Sequence, residues 1–136
     1  MVVRVAINGF GRIGRLVLRA AYESKRKDIQ FVAINDLGSI EANALLLQRD
    51  TVHGPFPGKV RTTKTGINLG KGNIRIFAER DPTKLPWGKL GVDIVMECTG
   101  IFTKREHAQA HLSAGARKVL ISAPASGEDL TVVFWC

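Results

Sequence analysis

Two cysteines are all that the 136 residues contain. Cys98 and Cys136 show neither metal-ligand nor redox spacing, a disulfide scaffold needs more of them in a smaller chain, and a reducing compartment fits this usage. Aromatic residues reach only 7% and do not interleave with the basic ones, which argues against a stacking platform for single-stranded nucleic acid. No apolar run approaches the roughly 20 residues that span a bilayer. Met1-Val2-Val3-Arg4-Val5 enters an apolar segment directly, without the basic region, apolar stretch and small-residue cleavage site of a secretory signal. A cytoplasmic location is therefore expected. Internal repeats, low-complexity tracts and linkers are also missing, so one domain is the simplest organisation.

What is present suits a globular fold. Hydrophobic residues make up 45% of the chain, and a domain of this size buries roughly two-thirds of the surface its unfolded chain exposes. Twenty basic against 12 acidic residues leave a net charge of +8. That excess favours anionic ligands without identifying one; apart from Lys25-Arg26-Lys27 the basic residues are scattered.

Hydrophobic periodicity predicts a strand over 2–8, a tight glycine turn, and a helix over 12–23 with Ile13, Leu16, Val17, Ala20 and Ala21 as its apolar positions. A second strand over 29–35 completes a βαβ unit and implies parallel pairing. Ser39 is placed to cap a helix carrying Ile40, Ala44, Leu45 and Leu47, followed by a loop over 51–55. Short strands over 60–64, 67–69 and 73–77 read as an antiparallel insertion, and Pro82 and Pro86 punctuate a turn or short helix. The run 92–98 is a buried strand returning to the main sheet. A helix over 103–114 starts with the Thr103 and Glu106 capping-box pattern and stops at Gly115. Strands over 118–122 and 130–135 end the chain. Alternating strands and helices predict an α/β fold, a doubly wound and mostly parallel sheet with a small antiparallel insertion.

Gly9-Phe10-Gly11-Arg12-Ile13-Gly14 matches G-x-G-x-x-G between a strand and a helix, and Asp36 follows 22 positions past Gly14 at the end of the next strand. This is the Rossmann-type dinucleotide fingerprint. Gly9 permits the turn, Gly11 lets backbone approach a pyrophosphate, and Gly14 lets the helix pack close to the strand. Free N–H groups near Arg12 and Ile13 lie at the positive end of the helix dipole. Asp36 can accept hydrogen bonds from an adenosine ribose and would repel a 2′-phosphate, which favours NAD over NADP. Of the histidines, His107 and His111 are spaced i, i+4 on one helix but lack a third ligand, so they are expected to be exposed helix residues and no metal site is expected. Cys98 is expected to be a small core residue with no neighbouring base.

The opening V-R-V-A-I-N-G-F-G-R-I-G-R resembles the glyceraldehyde-3-phosphate dehydrogenases, and the likeness continues through Asn35-Asp36, Asp50-Thr51-Val52-His53-Gly54, Pro86-Trp87, Glu97-Cys98-Thr99-Gly100-Ile101-Phe102, Ala114-Gly115-Ala116 and Ile121-Ser122-Ala123-Pro124. The resemblance implies an NAD-binding domain over 1–136, incomplete at its C-terminal edge. It implies that Arg12 and Ile13 touch the pyrophosphate, Asp36 the adenosine ribose, Arg80 the adenine region, and Thr99, Gly100 and Ser122 the nicotinamide side, with Asn35 among the cofactor-binding residues. The family's reaction uses a cysteine in an S-C-T-T-N segment that forms a thiohemiacetal, gives hydride to NAD and leaves a thioester for phosphate. No such segment occurs in these residues, and Val132-Val133-Phe134-Trp135-Cys136 departs from the family's V-V-x-G-V-N. The expectation is a truncated chain that binds NAD without catalysis and associates through the surface left uncovered by a missing catalytic domain. Two alternatives remain: a piece of the related erythrose-4-phosphate dehydrogenase, and a non-catalytic module using its positive charge for RNA or protein, although scattered basic residues make nucleic acid a poor fit.

Overall fold

The computed structural model describes residues 2–50, 54–100 and 105–122, with 50 and 105–107 described by their backbone alone. Its elements in chain order are β1 (Val3–Asn8), α1 (Arg12–Glu23), β2 (Ile29–Asn35), α2 (Ile40–Gln48), β3 (Arg49–Asp50), β4 (Gly54–Pro55), β5 (Arg61–Thr62), β6 (Gly66–Asn68), β7 (Asn73–Phe77), a 3-10 turn (Pro82–Lys84), β8 (Ile94–Glu97), α3 (Arg105–Ser113) and β9 (Lys118–Ile121). Seven strands form one sheet in the order β5-β6-β7-β2-β1-β8-β9. From β7 to β9 every pairing is parallel, while β5, β6 and β7 pair antiparallel.

The strands alternate sides with the period of two that a pleated backbone imposes. Ile7 and Ile34 turn to one face, where they join Phe10, Leu18 of α1, and Ala44 and Leu47 of α2. Ala6, Ala33 and Val95 turn to the other, where they join Leu85, Trp87, Val92 and Ala116. Ala6 lies beside Ala33 and Val95 in register, and two adjacent alanines leave depth that the fully buried Trp87 fills. Burial on both faces explains why these strands read as continuous apolar runs.

The α/β class and the parallel sheet agree with the sequence reading. Several details differ. The strand over 73–77 is no separate insertion: β7 pairs parallel with β2 as a member of the main sheet, and only β5 and β6 hang from it antiparallel. Gly54–Pro55, expected in a loop, pairs with Arg49–Asp50. Helix α1 buries Gly14, Leu18 and Arg19, while Ile13 is half exposed; the face set against the sheet lies along Gly14 and Leu18, with Tyr22 packed on the same cluster. Arg19 is buried because its guanidinium donates to the Gly54 and Pro55 carbonyls and pairs with Glu23. Ser39 does cap α2, its hydroxyl accepting from the Ala42 N–H at 3.0 Å, and Gly115 ends α3 at φ 114°. The Thr103 capping position and the strand over 130–135 lie outside the described residues. Among the described residues no helix is long and apolar enough to cross a membrane.

Candidate functional site

Strand order reverses at β1: the chain moves from β1 out to β2 and β7 on one side, then returns to β8 and β9 on the other. In open parallel sheets the crevice for a ligand lies beyond the carboxyl ends of the strands at such a switch. The turn after β1 and the segment after β8 are neighbours there. Gly9 has φ 91°, and a Cβ on it would come within 2.9 Å of the Thr99 backbone. A Cβ on Gly14 would lie 2.3 Å from the Gly9 carbonyl oxygen, so the third glycine lets α1 seat on the turn, whereas a Cβ on Gly11 would meet nothing within 4 Å. Gly11 is also the N-cap of α1, without a side-chain cap or any acidic residue in the first turn. Arg12 and Ile13 are exposed in that turn. Uncapped N–H groups beside open space at the positive end of a helix suit a phosphate.

Asp36 sits half-buried at the end of β2 and ties two loops together. One carboxylate oxygen accepts from the Phe10 N–H at 3.0 Å and the other from the Gly38 N–H at 3.0 Å. An ionised carboxylate has room for about four hydrogen bonds, so acceptor capacity remains for ribose hydroxyls. Arg80, Gly100 and Ser122 are exposed, and Thr99 is half-buried. The Ser122 N–H donates to the Glu97 carbonyl at 3.0 Å, which sets the end of β9 beside that of β8.

Asn35 stands apart from this set. It is buried, its side-chain amide donates to Asn8 and to the Glu79 carbonyl, both at 2.8 Å, and its oxygen accepts from the Glu79 N–H at 2.9 Å. Its side chain thus staples the segment leading to Arg80.

Beneath the crevice lies a polar network that the sequence reading missed. Glu97, 1% exposed, accepts from His111 Nε2 at 2.6 Å and Asn8 Nδ2 at 2.7 Å on one oxygen. The other accepts from the Thr99 N–H at 3.1 Å and the Thr99 hydroxyl. Trp87 donates its indole N–H to His111 Nδ1 at 3.0 Å. An indole can only donate, so Nδ1 carries the lone pair and Nε2 the proton. His111, expected to be an exposed helix residue, is fully buried: an imidazole with a partner at each nitrogen meets the requirement that buried polar groups be bonded. A signal was available, because Glu97 lies inside the apolar run 92–98 and a charge in a buried strand needs partners. Among the described residues no group of three His, Cys, Asp or Glu could hold a metal.

Burial opposes ionisation of Glu97, but the bonds from His111, Asn8 and Thr99 outweigh it and hold the carboxyl below its ordinary range. A depressed folded pKa contributes stability above the unfolded value, about 4.3, and loses it as pH falls through the folded value. The melting temperature should therefore fall as pH drops below about 4, and less steeply in Glu97→Gln. The lowered Asp28 and Asp81 are both exposed, so the difference between the two acid melting curves isolates Glu97. Cys98 is half-buried against the α1 side of the sheet. Burial pushes its thiol up, the Ser122 hydroxyl acts the other way, and Glu97 adds to the rise, as expected of a packing residue rather than a nucleophile.

A cavity of about 70 Å³ lined by Leu18, Tyr22, Phe31 and Ile74 among others lies between α1 and the β6 to β7 hairpin, away from the carboxyl ends of β1 and β8. It is too small for a dinucleotide and carries none of the fingerprint.

A family profile described as glyceraldehyde 3-phosphate dehydrogenase, NAD binding domain, matches residues 3–105. Proteins named glyceraldehyde-3-phosphate dehydrogenase are 61% identical in Xanthobacter flavus over 134 residues, 59% in Cereibacter sphaeroides over 134 and 59% in Thermotoga maritima over 133. Each alignment covers 98% of this chain and 40% of the relative. The chain thus spans about two-fifths of the length of the curated relatives it matches.

Proposed function

The chain belongs to the glyceraldehyde 3-phosphate dehydrogenase NAD-binding family, and from that premise we propose that it holds NAD across the carboxyl ends of β1, β2 and β8. The observation that carries this reading is the uncapped α1 N-terminus, with Gly11 facing open space and Asp36 fixed beside the same turn. Gly9, Gly11 and Gly14 shape the turn, Arg12 and Ile13 present backbone N–H groups to the pyrophosphate, and Asp36 receives the adenosine ribose. Asn35 places the Glu79 to Arg80 segment for the adenine, and Thr99, Gly100 and Ser122 border the nicotinamide. When bound, NAD supplies the hydride acceptor. In the whole protein the reaction would be the NAD-dependent oxidation and phosphorylation of glyceraldehyde-3-phosphate. The present residues form one cofactor domain that orients NAD and leaves the aldehyde chemistry to others.

Calorimetric titration of the purified chain with NAD and NADP tests this reading. We expect saturable NAD binding, weaker NADP binding, and a loss of roughly tenfold to a hundredfold for NAD in Asp36→Ala, the effect of removing hydrogen bonds to a charged group. A folded chain that ignores NAD contradicts it.

We further propose a cytoplasmic location and self-association through apolar side chains such as Leu37, Leu45 and Leu46, each about half exposed. A monodisperse monomer by light scattering would remove the second of these.

A further inference from the structure

The network beneath the crevice touches the site at one end and the interior at the other. Four donors converge on Glu97: His111 Nε2, Asn8 Nδ2, the Thr99 N–H and the Thr99 hydroxyl. Asn8 immediately precedes Gly9, and its carbonyl accepts from the Cys98 N–H at 2.8 Å. One carboxylate therefore ties the turn after β1 to the segment after β8, where Gly9 and Thr99 already meet. His111 is held by Trp87, whose ring packs edge to face on Phe77 at 6.2 Å. A buried ion with this many partners restricts the groups it holds to one arrangement. Neither Glu97, His111 nor Trp87 is exposed enough to meet a ligand.

We propose that Glu97, pinned by His111 and Asn8, is a positioning residue that holds Thr99 against the Gly9 turn and so sets the nicotinamide side of the dinucleotide crevice. The inference rests on the NAD reading above. It also predicts which half of the ligand responds. Asn35 meets the network only through the Asn8 side-chain oxygen, and its two bonds to the Glu79 backbone do not involve Glu97, so the adenosine side responds less than the nicotinamide side when Glu97 is changed. Glutamine at 97 offers one accepting oxygen to four donors, and its amide N–H groups must face either His111 and Asn8 or Thr99.

The test titrates wild type, Glu97→Gln and Trp87→Phe with NAD and with AMP, which carries only the adenosine half, each protein first confirmed folded by circular dichroism. Trp87→Phe removes the donor that fixes the His111 tautomer while leaving the crevice untouched, and it carries the test alone if Glu97→Gln does not fold. The expected result is a loss of about tenfold in NAD affinity for Glu97→Gln, a smaller loss for Trp87→Phe, and AMP affinities within about twofold of wild type. Unchanged NAD affinity in a folded variant overturns the inference, and so does an equal loss for NAD and AMP, which would mark a purely structural role. Failure of wild type itself to bind NAD is a separate outcome, which overturns the cofactor reading and this inference with it.

Discussion

Replacing Trp87 with alanine is expected to lower the melting temperature by about 10 °C or more. The side chain is fully buried in the layer between the sheet and α3. Truncating a buried tryptophan costs about 3 to 5 kcal/mol, a large share of the 5 to 15 kcal/mol that typically holds a domain together. Its partners cannot close the gap, because Ala6 and Ala33 opposite are already small. The loss is more than apolar, since His111 Nδ1 would be left without its donor. Trp87→Phe separates the two effects, keeping most of the ring volume and forfeiting a hydrogen bond worth about 1 to 3 kcal/mol when its partner stays buried. Thermal denaturation of the three proteins checks the order, wild type above Trp87→Phe above Trp87→Ala. Equal melting temperatures for wild type and Trp87→Ala would refute the packing account.

The second large effect concerns Gly14. Alanine inside a helix ordinarily gains about 1 kcal/mol over glycine. Here the added carbon would sit 2.3 Å from the Gly9 carbonyl oxygen and 3.2 Å from Ile7. Backbone cannot swing aside as a flexible side chain can, so α1 must lift, at the upper end of the roughly 1 to 3 kcal/mol that overpacking costs. Overpacking wins, and Gly14→Ala is expected to be destabilised. Because the lifted turn is the one that presents Arg12 and Ile13, its NAD affinity should fall by about tenfold or more. Gly11→Ala provides the contrast. Its methyl meets no protein atom within 4 Å, and a weaker N-cap costs about 1 kcal/mol at most. That variant should stay folded and still lose NAD, because the methyl occupies space the pyrophosphate needs. Paired melting and titration of the two variants distinguishes a glycine needed for packing from one needed for ligand approach.

The parallel core was legible because local signals and fold agree. Strands β1 and β2 match their apolar runs, Ser39 and Gly115 mark helix ends by cap chemistry, and the glycine fingerprint with Asp36 points to the crevice that the strand order creates. Where the sequence misled, a tertiary partner decided. Arg19, which nothing in its own segment marks as buried, is held inside by the Gly54 and Pro55 carbonyls. His111 looks exposed by spacing and is buried because Trp87 and Glu97 meet its two nitrogens from distant segments. Strand β7 looks like part of a hairpin insertion, and only its register with Ala33, Ile34 and Asn35 reveals it as a member of the parallel sheet. Asn35, which the resemblance groups with Asp36, turns its side chain inward to Asn8 and Glu79. Pairing between distant segments leaves no local periodicity to read.

The most direct test of the central claim, that a dinucleotide lies across the switch between β1 and β8, is amide chemical-shift mapping of the isotope-labelled chain during titration with NAD. The account predicts saturable shifts concentrated in Phe10 to Gly14, Asp36 to Gly38, and Thr99 to Gly100. Shifts gathered around Leu18, Tyr22 and Ile74, or none in a folded chain, would contradict it.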